Sequence, residues 1–232
     1  MCGERWDELP EKVMRILREL EAAAGAKVEW RKVDKLSGKM SKDWEDDGPI
    51  VLFREYSHEG AAHELLHLLL DVEGFPGISR CNRWSANAAG TVVHNLLQHL
   101  MIFPRLRELG FDPDTRECTA NESLLGNIQD QSAGRFEVES PHHIKAMYAS
   151  ILMRARQHCG VGAVDRINKQ MCGIQGIEKI QTLARSVREI IIIGPDSTLD
   201  EYGDILDLCI KELSLDDILE ARPPDINGSD GR

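Results

Sequence analysis

Residues Ala61 to Asp71 read Ala-Ala-His-Glu-Leu-Leu-His-Leu-Leu-Leu-Asp, an apolar run interrupted by His63, Glu64 and His67. Residues four apart on a helix share a face, so His63 and His67 can aim imidazole nitrogens at one ion. Glu64 falls about 100° around the axis from His63, beside such an ion rather than on it. A divalent zinc held by neutral imidazoles stays strongly Lewis acidic and lowers the pKa of a water toward about 7; a carboxylate at that place can take the proton. The expected reaction is hydrolysis, foremost of a peptide bond. The competing reading is a core helix that carries His-x-x-x-His by accident. Glu64 counts against it, because a charge among leucines and alanines needs a partner or a metal.

A strand pattern, Pro49-Ile-Val-Leu-Phe-Arg54, immediately precedes this helix. The order of strand, short loop and His-Glu-x-x-His helix resembles the zincin metallopeptidases, in which such a strand lines the substrate cleft. The resemblance implies a zinc-dependent peptidase with His63 and His67 on the metal and Glu64 as the general base.

With 232 residues, 42 % hydrophobic and 29 % charged, the composition is that of an ordinary soluble globular protein with one well-buried core. A formal net charge of -11 argues against a main role in neutralising nucleic-acid phosphates. No apolar run approaches the roughly 20 residues of a membrane span, and Met1-Cys-Gly-Glu-Arg-Trp-Asp-Glu8 is too charged for a secretory signal. The six cysteines, Cys2, Cys81, Cys118, Cys159, Cys172 and Cys209, form no Cys-x-x-Cys pair. They read as reduced thiols of a cytoplasmic protein rather than as a disulfide framework.

Along the chain, apolar spacing at Leu9, Val13, Ile16, Leu17 and Leu20 predicts a helix from about Trp6 to Ala24, stopped by Gly25. Lys27 to Val33 alternates and reads as a strand, followed by a polar loop through Trp44 to Gly48. This strand and Pro49 to Arg54 are expected to pair antiparallel, with the active-site helix covering one face. Gly74 and Pro76 end that helix. A long helix is expected from Trp84 to Phe103, with Ala88, Val92, Leu96, Leu97, Leu100 and Met101 inward, kinked or interrupted at Pro104 and closed by Gly110. Ser140-Pro141 starts a further helix, and others are read at Val164 to Met171, Ile174 to Ile193 and Leu199 to Leu213. The fold class is α+β: a mostly helical, zincin-like core with a small antiparallel sheet next to the active-site helix. The expected organisation is a catalytic core over 1-112, a helical region over 113-221 and a disordered tail over 222-232.

A catalytic zinc normally takes three protein ligands and leaves one position open. Between Glu73 and Glu108 there is no Asp or Glu, so histidine must supply the third ligand if it lies on the following helix. The candidates are His99 and His94, which lie about 140° apart around that helix and cannot share one face. A ligand from elsewhere in the chain is a third option. Asn95 and His99 are four apart and do share a face, which ranks His99 first. The His-Glu-x-x-His helix, Asn95 and Pro104 also resemble the ImmA/IrrE-type metallopeptidases over roughly residues 49 to 104. In that group the third ligand is a glutamate one turn before the Asn, a position held here by Thr91. This resemblance implies a narrow protein or peptide substrate rather than general digestion.

Asp71, four residues after His67, can accept from the second ring nitrogen of His67 or stand exposed near the helix end. Donors available for an oxyanion are Tyr56, His58, Arg80, His94, His142 and His143, and sequence does not choose among them. Cys81 lies in no nucleophile motif. The site predicted from sequence is therefore Glu64 as the catalytic residue, with His63, His67 and His99 holding Zn2+, although such ligands also suit manganese or iron. A non-peptidase zinc hydrolase, or a zincin-fold binding or regulatory module without peptidase activity, is the alternative.

Overall fold

In a computed structural model, residues 8–36, 39–78, 84–121, 161–171 and 198–212 are described, with residues 150, 151, 154, 155, 158, 159, 221 and 222. The chain is mostly helical with one small three-stranded sheet, the expected α+β class. It divides into two compact units. One takes in Met1–Gly77, Ile102–Phe111 and Pro223–Arg232, the other Ile78–Met101 and Asp112–Arg222.

The first unit opens with α1 (Glu11–Ala24), which buries Val13, Ile16, Leu17 and Leu20. It starts five residues later than the apolar spacing suggests. Pro10 explains the difference: its ring fits only at a helix start, and it disfavours helical geometry in Leu9 before it.

Three strands follow: β1 (Glu29–Lys32), β2 (Met40–Glu45) and β3 (Gly48–Phe53), in the order β1-β3-β2. The central strand β3 buries Ile50, Val51 and Phe53. The sheet is mixed, which corrects the antiparallel expectation. β2 runs antiparallel to β3, whereas β1 is parallel to it, with Trp30 opposite Val51. The reason is the extra strand β2 in the stretch read as a polar loop. It adds a second reversal between β1 and β3, so those two end up pointing the same way.

Helix α2 (His58–Val72) carries the His-Glu-x-x-His motif and packs on α1, β2 and β3. Ser57 caps its start, its hydroxyl accepting from the Gly60 amide at 3.1 Å. Gly60 crosses close to β2, where a Cβ would lie 2.6 Å from Met40 Sδ. The far end closes in a Schellman motif. Gly74, at φ 92°, lets its own N–H reach Asp71 O and lets Phe75 N–H reach Leu70 O. Two residues, β4 (Gly77–Ile78), pair with β5 (Ala221–Arg222). Arg222, expected in the tail, is therefore in a strand.

Helix α3 (Trp84–Glu108) runs unbroken through Pro104 and ends at Gly110 in the same motif. Pro104 removes only the bond its own N–H would make to Leu100. Val93, Leu96, Leu97 and Met101 are buried, while Val92 and Leu100 are half-buried, so the inward stripe is rotated slightly from the one read in sequence. The side chain of Ala88 lies outside the described residues.

In the second unit, residues 113–121 are helical, with Asp112 accepting from Thr115 N and Oγ1. Helix α4 (Val161–Met171) matches one of the expected segments, beginning three residues early. Helix α5 (Leu199–Glu212) is started by a capping box. Thr198 N donates to Glu201 Oε2 at 2.7 Å, and Glu201 N to Thr198 Oγ1 at 3.3 Å. It buries Tyr202, Ile205, Leu206, Cys209 and Ile210.

Cys118 and Cys159 form a disulfide, which corrects the reading of all six cysteines as reduced thiols. The partners are 41 residues apart and meet only through the tertiary fold, so spacing gives no hint of them. Of the helix expected from Ser140, Ile151 is helical and buried, while its start, the helix expected at Ile174 to Ile193 and the tail beyond Arg222 lie outside the described residues. Among the described residues, no helix is long and apolar enough to cross a membrane.

Candidate metal centre

The leucine-rich helix α2 turns nearly every side towards the protein, so its two histidines are buried with it. His63 is 8 % and His67 4 % exposed, and their rings meet edge to face with centroids 4.6 Å apart. Phe103 on α3 lies with its ring centroid 6.4 Å from that of His63. His99 stands one turn before Phe103 on the same continuous helix and is also buried. One ligand atom from each of His63, His67 and His99 lies within 4.8 Å of the others.

Three buried imidazoles so placed fit a divalent ion. Metal–nitrogen bonds of about 2.0–2.1 Å at tetrahedral angles put the nitrogens about 3.4 Å apart, within reach of small side-chain rotations. Imidazole donors suit zinc and also copper, iron or nickel. Among the described residues this is the only cluster of its kind. His94 is half-buried and outside the cluster, as the 140° offset from His99 requires. Thr91, where the ImmA/IrrE comparison would put a glutamate, is exposed.

Glu64 lies beside the cluster rather than in it. Its Oε1 is 3.0 Å from His63 Nδ1, and its side chain is 12 % exposed. A neutral His63 that donates from Nδ1 to this carboxylate keeps on Nε2 the lone pair a metal needs. Asp71 is buried and paired with Lys42 of β2, so it ties the end of α2 to the sheet. It is not the exposed residue that was one of its two readings.

Of the oxyanion candidates, His58 is the first residue of α2 and packs edge-on against Tyr56. Tyr56 in turn meets Trp30 and Phe53. Arg80, Cys81, His142 and His143 lie outside the described residues.

Two charged residues near the cluster were not singled out from sequence. Arg154 Nη1 pairs with Glu117 Oε2 at 3.1 Å, and Arg154 Nη2 lies 3.5 Å from His99 Nδ1. Burial pushes the Arg154 pKa down, and the Glu117 carboxylate opposes that shift. Glu117 lies in the polar stretch Asp112 to Asn121, so nothing in the sequence marks it or Arg154 as buried partners.

Compared with known proteins, the chain matches no family model, no curated protein and no solved structure.

Proposed function

We propose that this chain is a zinc-dependent peptidase of the zincin type, distantly similar to the ImmA/IrrE metallopeptidases, acting on a narrow protein or peptide substrate. The observation that carries the reading is the convergence of His63, His67 and His99 in a buried cluster, with Glu64 on the same helix as two of them. These three histidines would hold the ion. When bound, zinc supplies Lewis acidity, polarising a carbonyl and making a water more acidic.

The chain's own residues divide the remaining work. Glu64 Oε1 holds His63 by Nδ1. Glu64 Oε2 is the atom that takes up a proton and returns it to the departing amine. Burial of the three imidazoles keeps bulk water from the cluster and strengthens the electrostatic contacts made there. Three ligands among the described residues, rather than four, favour an enzyme over a closed structural site. We place the protein in the cytoplasm, where a bridge such as Cys118–Cys159 is of the transient, redox-responsive kind.

The alternative, a zincin-fold binding module without peptidase activity, is favoured by one observation: the Glu64 carboxylate is already engaged by His63. Metal content by elemental analysis of wild type, His67→Ala, His94→Ala and His99→Ala is the first test. The expected result is about one zinc per chain in wild type and His94→Ala, lost in the other two. Zinc without turnover of any peptide library would leave the binding module; no zinc in any sample would remove both readings.

A further inference from the structure

Arg154 stands where a metal-ligating histidine usually finds an acceptor. A ligating imidazole turns one nitrogen lone pair to the ion and donates the other N–H to a carboxylate, a carbonyl or water. His63 conforms, with Glu64 at its Nδ1. At His99 the Nδ1 neighbour is instead a guanidinium nitrogen, 3.5 Å away.

Guanidinium has only N–H donors and stays protonated in proteins. The nitrogen that faces it must supply the lone pair, so the proton of neutral His99 is on Nε2. Ligation through Nε2 would move that proton to Nδ1 and set it against the N–H of Arg154. Ligation through Nδ1 would need the ion on the side of that nitrogen which Arg154 Nη2 occupies. Contact with Arg154 and ligation of a metal by His99 are therefore alternatives, whichever nitrogen is used.

Arg154 is firmly seated. Its side chain is 15 % exposed, and that of its partner Glu117 5 %. Three ties join the helix at 113–121 to the segment that bears Arg154. They are the Asp114–His158 pair, the Glu117–Arg154 pair and the Cys118–Cys159 bridge.

We infer that Arg154 is a positioning residue that latches His99, holding it in the form that does not ligate, so that metal loading requires the guanidinium to move off Nδ1. This rests on the reading of His63, His67 and His99 as a metal site. The latch makes His99 the last and weakest ligand, and the seam around Glu117 sets how readily the site fills.

The test is zinc affinity by chelator competition on the oxidised full-length chain, for wild type, Arg154→Met, Arg154→Lys and His67→Ala. Nitrogen-15 histidine spectra of the chelator-treated wild type accompany it. Arg154→Met is expected to bind zinc at least about tenfold more tightly. Arg154→Lys, which keeps a donor, should remain near wild type, and His67→Ala should lose binding. In chelator-treated wild type, His99 should show the Nε2–H form and convert on adding zinc. Unchanged or weaker binding by Arg154→Met, with His67→Ala still defective, would overturn the latch and leave the metal site standing. An Nδ1–H form of His99 in chelator-treated wild type would overturn it without any variant. Failure of wild type and Arg154→Met alike to bind zinc would remove the metal site and the latch with it.

Discussion

The Glu64 carboxylate and the His63 ring, neighbours in sequence, are 3.0 Å apart at Oε1 and Nδ1. Adjacent helical residues diverge by about 100°, so this contact is made by side chains reaching across the helix surface. It gives Glu64 two separable tasks: fixing the His63 tautomer and moving a proton. In Glu64→Gln the amide oxygen still accepts from Nδ1–H, so zinc is expected to stay while turnover falls on the order of a thousandfold. In Glu64→Ala the orienting contact also goes, and zinc affinity should drop about 10- to 100-fold. Metal content and peptide turnover measured side by side separate the two; equal zinc loss in both variants would contradict the division.

Gly60 is expected to resist substitution. An added Cβ would meet Met40 Sδ at 2.6 Å and the capping Ser57 Oγ at 2.8 Å. Met40 is flexible, but Ser57 Oγ holds the start of α2. Gly60→Ala should therefore destabilise by about 1–3 kcal/mol. Met40→Ala in the same chain should recover part of that, and Ser57→Ala alone should cost about 1 kcal/mol. Urea midpoints of the four chains decide it, with a neutral Gly60→Ala as the contrary outcome.

Asp112 gives the helix at 113–121 a dependence on acid. Hydrogen bonds from the Thr115 hydroxyl and amide hold its carboxyl below the ordinary carboxylate range. A lowered folded pKa means the contribution is complete above the unfolded value, near about 4, and fades as pH falls through the folded one. Thr115 amide exchange, corrected for intrinsic rate, should lose protection on that acid side. Asp112→Asn should flatten the dependence.

The Cys118–Cys159 bridge closes a loop between residues 41 apart. Loop-closure entropy for that length corresponds to about 4 kcal/mol. Cys118→Ser, or treatment with a phosphine reductant, should lower the stability of wild type by up to that amount. Denaturation curves that coincide with and without reductant would show that the bridge does not form in solution.

Helices α1 and α2 were legible because their apolar residues recur at helical spacing and a single residue, Gly25 or Gly74, ends each. The pairing of His63 with His67 followed from spacing alone. The choice of His99 over His94 rested on which face Asn95 shares; the structure groups a ligand atom of His99 within 4.8 Å of those of His63 and His67. β2 was missed because its alternation, Met40, Lys42, Trp44, has a lysine in the middle. Lys42 is on that face because its ammonium reaches Asp71, a partner 29 residues away. Arg154 and Glu117 were missed for the same reason. A buried charge is explained only by a partner that the tertiary fold brings to it.

The mixed sheet also sets an order of events for the chain as it folds. β2 and β3 turn directly on Asp46 and Asp47, and such hairpins close in about 1–10 μs from local contacts. β1 cannot join by a simple turn, since it lies parallel to β3 and pairs along the edge that β2 leaves open. Non-local pairing of this kind is slower because loop closure precedes any gain. Helix α2 covers both α1 and the sheet, so His63 and His67 are fully enclosed only when both surfaces are in place. The two-histidine clamp is thus a late product of assembly, and the nascent chain exposes it as a loose His-x-x-x-His pair before the sheet exists.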